Sequence, residues 1–491
     1  MGRQTKLVRD KEGVDRREAG YYSTPNFVAE FLARKLLSYK PEAKSVLDPC
    51  VGKGELTTPF AREGLNVVGI DIIDRNPEQC SEFIVADFLQ LAMSVKTEGL
   101  FAVPRIPRTD LIVANPPYNC HETDYIRLNR PQLIESFGKS SALNMYSLFI
   151  RAIVENADAG CLIGLVVHDS FLTAIGHREL RNYLFAECVV KNLHLCPTSL
   201  FLDQNADVRT CLLILEKRHR QTDPIVHVSN RVRTVAEFRD ILEQENFDSA
   251  KLSEITLSHE LDNREIVVGL SPALSSLFSG QRLGQIAPCV TGVSTGNDAV
   301  YISPVKRHGF SIPFYKNPAS RRFYAPPDGF IIDDFDGEAK LVSNFMVRNR
   351  DLLMQGGLSC SSMGVAFGAT VRPPDTLCGV NPNVVVTEAE KWWLLAYLNS
   401  RLCLYLLRGV LNRSNMVTAG YASRIPVPNF DEQTKAILAE LALKAYEKVL
   451  SGDKADPEKA IIDNTIESYL AFDDATVNSL QAFSLDPARL A

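Results

Sequence analysis

Six short apolar runs, separated by segments of helical period, constrain the first 217 residues more than any other feature. The runs cover residues 45–48, 66–72, 83–86, 110–114, 161–167 and 211–216. Continuous apolar runs of strand length belong to sheets buried on both faces, which are parallel sheets covered by helices. Between them, residues 27–37 and 146–156 repeat apolar side chains at helical spacing. Strand and helix in alternation predict a doubly wound, Rossmann-like α/β sheet with parallel strands. Such sheets bind ligands beyond the carboxyl ends of their strands, and the chemistry is sought there.

After residue 220 the pattern changes. A polar stretch holds one good helix at 235–245. Short strands and turn signals follow, among them the run TGVSTGND at 291–298. A strongly apolar helix is expected at 391–407, inside an irregular α+β region. The expected organisation is an arm at 1–20, an α/β domain at 21–225, an α+β domain at 226–430 and an acidic helical segment at 431–491. The chain has 491 residues, enough for two to four ordinary cores.

Charge bears on partners. The formal net charge is −6, which looks unsuited to nucleic acid. From Asp431 onward there are 12 acidic and 6 basic residues, and the remainder carries 47 of each sign. Any contact with a polyanion therefore rests on local basic patches. The 11 cysteines are scattered without a Cys-x-x-Cys pair, so no zinc knuckle or dithiol site is expected and no metal is called for. A cytoplasmic, reducing location is expected. No apolar run is long enough for a membrane span, and no membrane partner is expected.

The strand ends carry a consistent set of residues. The first ends in Asp48-Pro49-Cys50-Val51-Gly52-Lys53-Gly54, the second in Asp71 beside Ile72, and the third is followed by Asp87-Phe88. Neither a Walker loop nor G-x-G-x-x-G is present. Carboxylates around a Gly-rich turn suit a cationic, phosphate-free nucleoside, and S-adenosylmethionine is such a ligand. Asp71 would accept from ribose hydroxyls, Asp87 from the adenine amine, and Asp48 would face the ammonium. In the bland reading each Asp caps a helix or a turn after its strand.

Asn115-Pro116-Pro117-Tyr118 follows the fourth strand. Two prolines stiffen the backbone and remove two N–H donors. The Asn115 amide oxygen and the Pro116 carbonyl can then face one ligand. Two acceptors match an exocyclic NH₂ group with its two donors. Tyr118 offers a flat face for stacking on a heterocycle.

With these motifs in that order, the chain resembles the gamma-class DNA adenine-N6 methyltransferases of bacterial restriction–modification systems. Tyr22-Ser23-Thr24-Pro25 is similar to the family's cofactor-touching segment before the first strand, which brings in Thr24. Asp48, Cys50 and Gly52 resemble its first motif, Asp71 and Ile72 its ribose and adenine contacts, and Asp87 and Phe88 the pair that bonds and covers the adenine. Residues 115–118 match its catalytic tetrapeptide without departure, and the resemblance also counts Asn115 among the cofactor-binding residues. The segments at 143–149 and 168–172 resemble later sheet motifs. Ser199-Leu200-Phe201 resembles the motif whose aromatic packs on the extruded base, making Phe201 the partner of Tyr118.

The resemblance implies S-adenosylmethionine as cofactor and double-stranded DNA as substrate. It also implies a cognate restriction endonuclease as candidate partner, and a monomer. The methyl would pass directly to N6 of a flipped-out adenine, with no covalent enzyme intermediate. Cys120, near the catalytic loop, is not in the context of a cytosine-C5 nucleophile. Residues 226–430 would form the target-recognition domain, with Arg413, Ser414 and Arg372 as DNA-binding candidates. Two other readings stay open: methylation of RNA or of a protein glutamine amide, and a catalytically idle DNA-specificity module of a defence complex.

Overall fold

The computed structural model describes residues 22–94, 106–118, 124–204, 208–218, 223–318, 320–412 and 416–490. Two units divide the chain. Met1–Ser258 with Asn263–Gly269 form the first, and His259–Asp262 with Leu270–Ala491 the second.

The first unit is built on one sheet. Its strands are β1 (Ser45–Asp48), β2 (Asn66–Asp71), β3 (Glu82–Val85), β4 (Leu111–Ala114), β5 (Leu162–His168), β6 (Cys188–Leu195), β7 (Thr210–Lys217), β8 (Ile225–Ser229) and β9 (Asp248–Lys251). They lie in the order β3-β2-β1-β4-β5-β7-β6-β8-β9. The helices are α1 (Asn26–Tyr39), α2 (Thr58–Arg62), α3 (Phe88–Ser94), α4 (Asp124–Phe137), α5 (Met145–Asn156), α6 (Arg178–Glu187) and α7 (Val235–Gln244).

Strand period explains the two cores. Val46, Val67, Leu111, Val113, Leu212 and Ile214 face the core shared with α1, α2 and α7. Their neighbours Leu47, Val68, Ile112, Ala114, Leu213 and Leu215 face the core shared with α3, α4, α5 and α6. Successive side chains of a strand point to opposite faces, so a sheet covered on both sides needs unbroken apolar runs. On α1, Val28, Phe31, Leu32 and Leu36 are fully buried at helical spacing. Each contributes about 1.5–3 kcal/mol through burial. A Cβ added to Gly164 of β5 would lie 3.0 Å from Leu36 Cδ1, so the missing side chain lets α1 lie close on the sheet.

The sheet is mixed, which corrects the all-parallel expectation. β1, β2, β3, β4 and β5 are parallel, but β7 pairs antiparallel with β5 and with β6. A parallel return needs a helical crossover. The described part of 196–209 holds only the 3₁₀ turn Leu202–Gln204, and the chain turns back into the gap between β5 and β6. The domain limit at residue 225 is also corrected. Ile225–Ser229 pairs with β6 and Asp248–Lys251 with β8, so the sheet continues well past that point.

Among the described residues the second unit holds two four-stranded sheets and one two-stranded sheet. Its main helices are α8 (Glu388–Leu398), α9 (Arg401–Leu404), α10 (Glu432–Leu450), α11 (Asp456–Tyr469) and α12 (Asp474–Leu485). The single helix expected at 391–407 is broken, with a 70° bend between 388–398 and 401–411. The Asn399 side chain bonds the backbone N–H and carbonyl of Ala369, and Ser400 caps the next helix at Cys403. The tail from Asp431 belongs to this unit and is not a separate segment: Asp463 accepts from the Arg401 backbone at 2.7 Å, and Arg401 pairs with Glu467. Among the described residues no single helix is long and apolar enough to cross a membrane.

Candidate active site

The carboxyl ends of β1, β2, β3 and β4 lie along one edge of the sheet because those strands are parallel and adjacent. Asp48 closes β1 and is buried; its Oδ1 accepts the Cys50 backbone N–H at 3.0 Å. Burial pushes its pKa up to about 7, and the neighbouring Asp71 and Glu55 carboxylates add to the rise. Among the described residues no cation faces it. Gly52 and Gly54 take left-handed φ of 55° and 82°, which lets the loop turn tightly at the strand end.

Asp71 is held by two backbone donors, Gly52 N–H on Oδ2 at 2.9 Å and Ile73 N–H on Oδ1 at 3.0 Å. Each carboxylate oxygen retains a further lone pair for a hydroxyl. Ile72 beside it is 64% exposed, an apolar side chain open at a strand end. Asp87 Oδ1 accepts from Leu89 and Gln90 N–H at 2.9 and 3.2 Å. It thus acts as the helix cap weighed as the bland reading. Phe88 is buried in the core, its ring 5.5 Å from Phe149.

Asn115 follows β4 and meets the first loop directly, its backbone N–H bonding the Cys50 side chain. Its amide is oriented by its partners. Nδ2 donates to the Tyr22 carbonyl and to Thr24 Oγ1, each at 2.9 Å. Oδ1 therefore faces the other way, where it accepts the Tyr118 hydroxyl, which also reaches the Val166 carbonyl at 3.2 Å. The amide orientation follows from this hydrogen-bond set. Burial raises the Tyr118 pKa well above its ordinary value, so the phenol stays protonated. Pro116 is buried and Pro117 half-buried.

Phe201 is brought to the same place. Its ring lies 6.0 Å from Tyr118 at 60° and is fully buried. Tyr22 stacks on Tyr118 at 5.6 Å and 16°. Sequence reasoning missed how these parts are tied together. Ser23 N–H donates to Gln204 Oε1 at 2.7 Å, Gln204 Nε2 returns a bond to the Ser23 carbonyl at 2.8 Å, and Ser23 Oγ donates to Glu55 at 2.8 Å. Three ordinary polar residues in separate loops carry no local pattern that could have revealed this.

A second omission is the buried pair of Asp169 and Arg231, in which Arg231 also bonds the Cys196 carbonyl. It fastens the ends of β5, β6 and β8 behind the site. The HDS run at 168–170 was legible; its partner, an isolated arginine after β8, was not.

The second unit corrects one candidate. Arg372 is 1% exposed and donates to the carbonyls of Leu353, Thr376 and Gln355. It is a buried staple between backbone segments and is not available to DNA. Arg413, Ser414 and Cys120 lie outside the described residues. Lys316 and Arg350 are exposed and paired with Asp298 and Asp336. Among the described residues no group of three or more His, Cys, Asp or Glu is placed to hold a metal ion.

The model of the N-6 DNA Methylase family matches residues 89–260. The chain is 25% identical over 218 residues to the type II methyltransferase M.BanIII of Aneurinibacillus aneurinilyticus, covering 38% of this chain and 37% of that protein. It is 25% identical over 239 residues to the type II methyltransferase M.BsuBI of Bacillus subtilis, covering 43% and 46%. The match thus spans less than half the length of either relative.

Two solved structures share the fold. One is a nuclease-deletion mutant of the Type ISP restriction-modification enzyme LlaGI in complex with a DNA substrate mimic (TM-score 0.57, 13% identity, 87% of this chain and 47% of that one). The other is the DrdV–DNA complex (TM-score 0.55, 12% identity, 88% and 57%). The first unit is an α/β fold of methyltransferase type, and the N-6 DNA methylase match supports S-adenosylmethionine as its cofactor.

Proposed function

We propose that this chain is a site-specific DNA methyltransferase that modifies N6 of an adenine flipped out of double-stranded DNA, within a restriction–modification system. The observation that carries the reading is the meeting of two loops. Asn115, its amide oriented by two fixed acceptors of its NH₂, sits against the Cys50 loop, where Asp48 is buried and, among the described residues, has no cation paired with it.

A buried carboxyl with a raised pKa is at odds with its surroundings until a cation arrives. The donor set fits S-adenosylmethionine in this respect. Asp48 would face its ammonium, Asp71 its ribose hydroxyls, and exposed Ile72 its adenine. Thr24, Cys50, Gly52, Asp87 and Phe88 complete the set that the resemblance assigns. When bound, this cofactor supplies an electrophilic methyl group on a sulfonium.

The chain's own residues would prepare the nucleophile. Asn115 Oδ1 and the Pro116 carbonyl accept the two hydrogens of the adenine amine, and the nitrogen lone pair is then localised and aimed. Tyr118 and Phe201 stack against the base and offset the few kcal/mol of unstacking. No residue needs to act as a base, because the methylated amine is acidic enough to release its proton to water. Catalysis is positioning and preorganised polarity.

The test is a transfer assay with labelled cofactor, offering DNA, RNA and protein in separate reactions. Label in DNA as N6-methyladenine, lost in Asn115→Ala, supports the reading. Label confined to RNA or protein, or DNA methylation kept by Asn115→Ala, refutes it.

A further inference from the structure

The rings that would hold a base are covered. Phe201 is fully buried and Tyr118 is 4% exposed. A base cannot stack on either until something leaves. Among the described residues, the ring lying parallel on Tyr118 is Tyr22, at 5.6 Å and 16°, and the same ring is 6.1 Å from Phe201 at 52°. Three aromatics therefore share one small volume, and Tyr22 lies where a flat heterocycle would meet the other two.

The backbone at Tyr22 is suited to movement. Residues 22–25 belong to neither helix nor strand, and α1 begins only at Asn26. The segment is latched by a few identifiable bonds. Asn115 Nδ2 holds the Tyr22 carbonyl, Gln204 holds Ser23 through both its backbone groups, and Glu55 accepts from Ser23 Oγ. Gln204 ends the turn that begins just after Phe201, and Glu55 follows the Gly52–Gly54 loop. The latch thus ties the two loops that flank the base slot and the cofactor loop to one another.

We infer that Tyr22 is a positioning residue that fills the target-base slot of the free protein, stacked on Tyr118 in place of the adenine, and is displaced when the base enters. The inference rests on the function proposed above. Keeping the slot filled spares the free protein the exposure of two large aromatic faces to water. It also adds a threshold to flipping, because an entering base must outcompete a ring already stacked there. Discrimination of this kind is a difference between two affinities.

The test uses the full chain with saturating S-adenosylhomocysteine and a duplex carrying the sequence that the wild type methylates, with 2-aminopurine at the target adenine. The emission of 2-aminopurine reports its extrusion. Removing the competing ring in Tyr22→Ala is expected to tighten the apparent Kd read from this emission at least threefold. Tyr22→Phe restores the wild-type value, and the affinity for S-adenosylhomocysteine moves less than twofold in both. An unchanged or weaker Kd in Tyr22→Ala overturns the inference, since a merely structural tyrosine would weaken binding.

Should Tyr22→Ala fail to fold, 3-fluorotyrosine at position 22 keeps the ring. Its ¹⁹F line is expected to shift when the duplex is added, and an unmoved line overturns the inference. Wild-type protein that raises no 2-aminopurine emission and methylates no DNA overturns the function reading as well. The two failures are therefore distinguishable.

Discussion

Asn115 is fixed from behind: two acceptors hold its NH₂, and its oxygen is turned toward the Tyr118 hydroxyl. Truncation removes the aimed acceptor and leaves cofactor contacts in place. Asn115→Ala is expected to lower kcat roughly 10²–10³-fold, the usual loss for one preorganised polar group. Equilibrium binding of S-adenosylhomocysteine should stay within about threefold of wild type on the same grounds. Equal losses in both would place Asn115 in the cofactor site instead.

Asp48 gives a pH signature. Its pKa in the folded chain, about 7, lies above the unfolded value. The folded state therefore holds a proton that the unfolded state has released, and the contribution of this group to stability falls as pH rises from about 4 to about 7. A ligand ammonium favours the ionised form, so affinity for S-adenosylhomocysteine should rise through the same window. Asp48→Asn should flatten that rise in a calorimetric titration. A pH-independent wild-type affinity would separate Asp48 from the ligand's charge.

At the scale of elements, the carboxyl edge of the sheet was legible because parallel strands are written as unbroken apolar runs. β1 matches its run, and β2, β3, β4, β5 and β7 match theirs to within a residue at either end. β6 was missed because Lys191, Asn192 and His194 interrupt its pattern. Asn192 and His194 are buried and satisfied by Tyr39 and Ser229, contacts made by distant segments. Burial lowers the His194 pKa to about 3, so the ring is neutral and reads locally as polar while behaving as core.

Phe201 and Tyr118 were legible as motif residues, whereas their covering by Tyr22 depended on tertiary placement. Arg372 was misread for the same reason: the run around it cannot show that three backbone carbonyls enclose its guanidinium. The Asp169–Arg231 pair is an element-scale prediction. Asp169→Ala leaves a buried guanidinium without its counterion and should cost about 3–5 kcal/mol in urea unfolding. A change below about 1 kcal/mol would mean that the ends of β5, β6 and β8 are held otherwise.

At the scale of the whole molecule, the acidic excess is confined to the helices from Asp431 onward, and the rest is balanced. DNA binding by such a chain depends on local phosphate contacts, each adding about −0.9 to the slope of log K against log salt. A slope of a few units is expected for the wild type. Arg372→Met should leave that slope unchanged while lowering the melting temperature, because the side chain is buried. A reduced slope would return Arg372 to the DNA surface.

The central claim is that Asn115 presents an adenine amine to a methyl donor held along the carboxyl edge of β1, β2, β3 and β4. Sequencing that detects modified bases, applied to DNA from cells expressing the wild type or Asn115→Ala, tests it most directly. The account predicts N6-methyladenine at one recurrent sequence with the wild type and none with the variant. Methylation on cytosine, no methylation by the wild type, or undiminished N6-methyladenine with Asn115→Ala would contradict it.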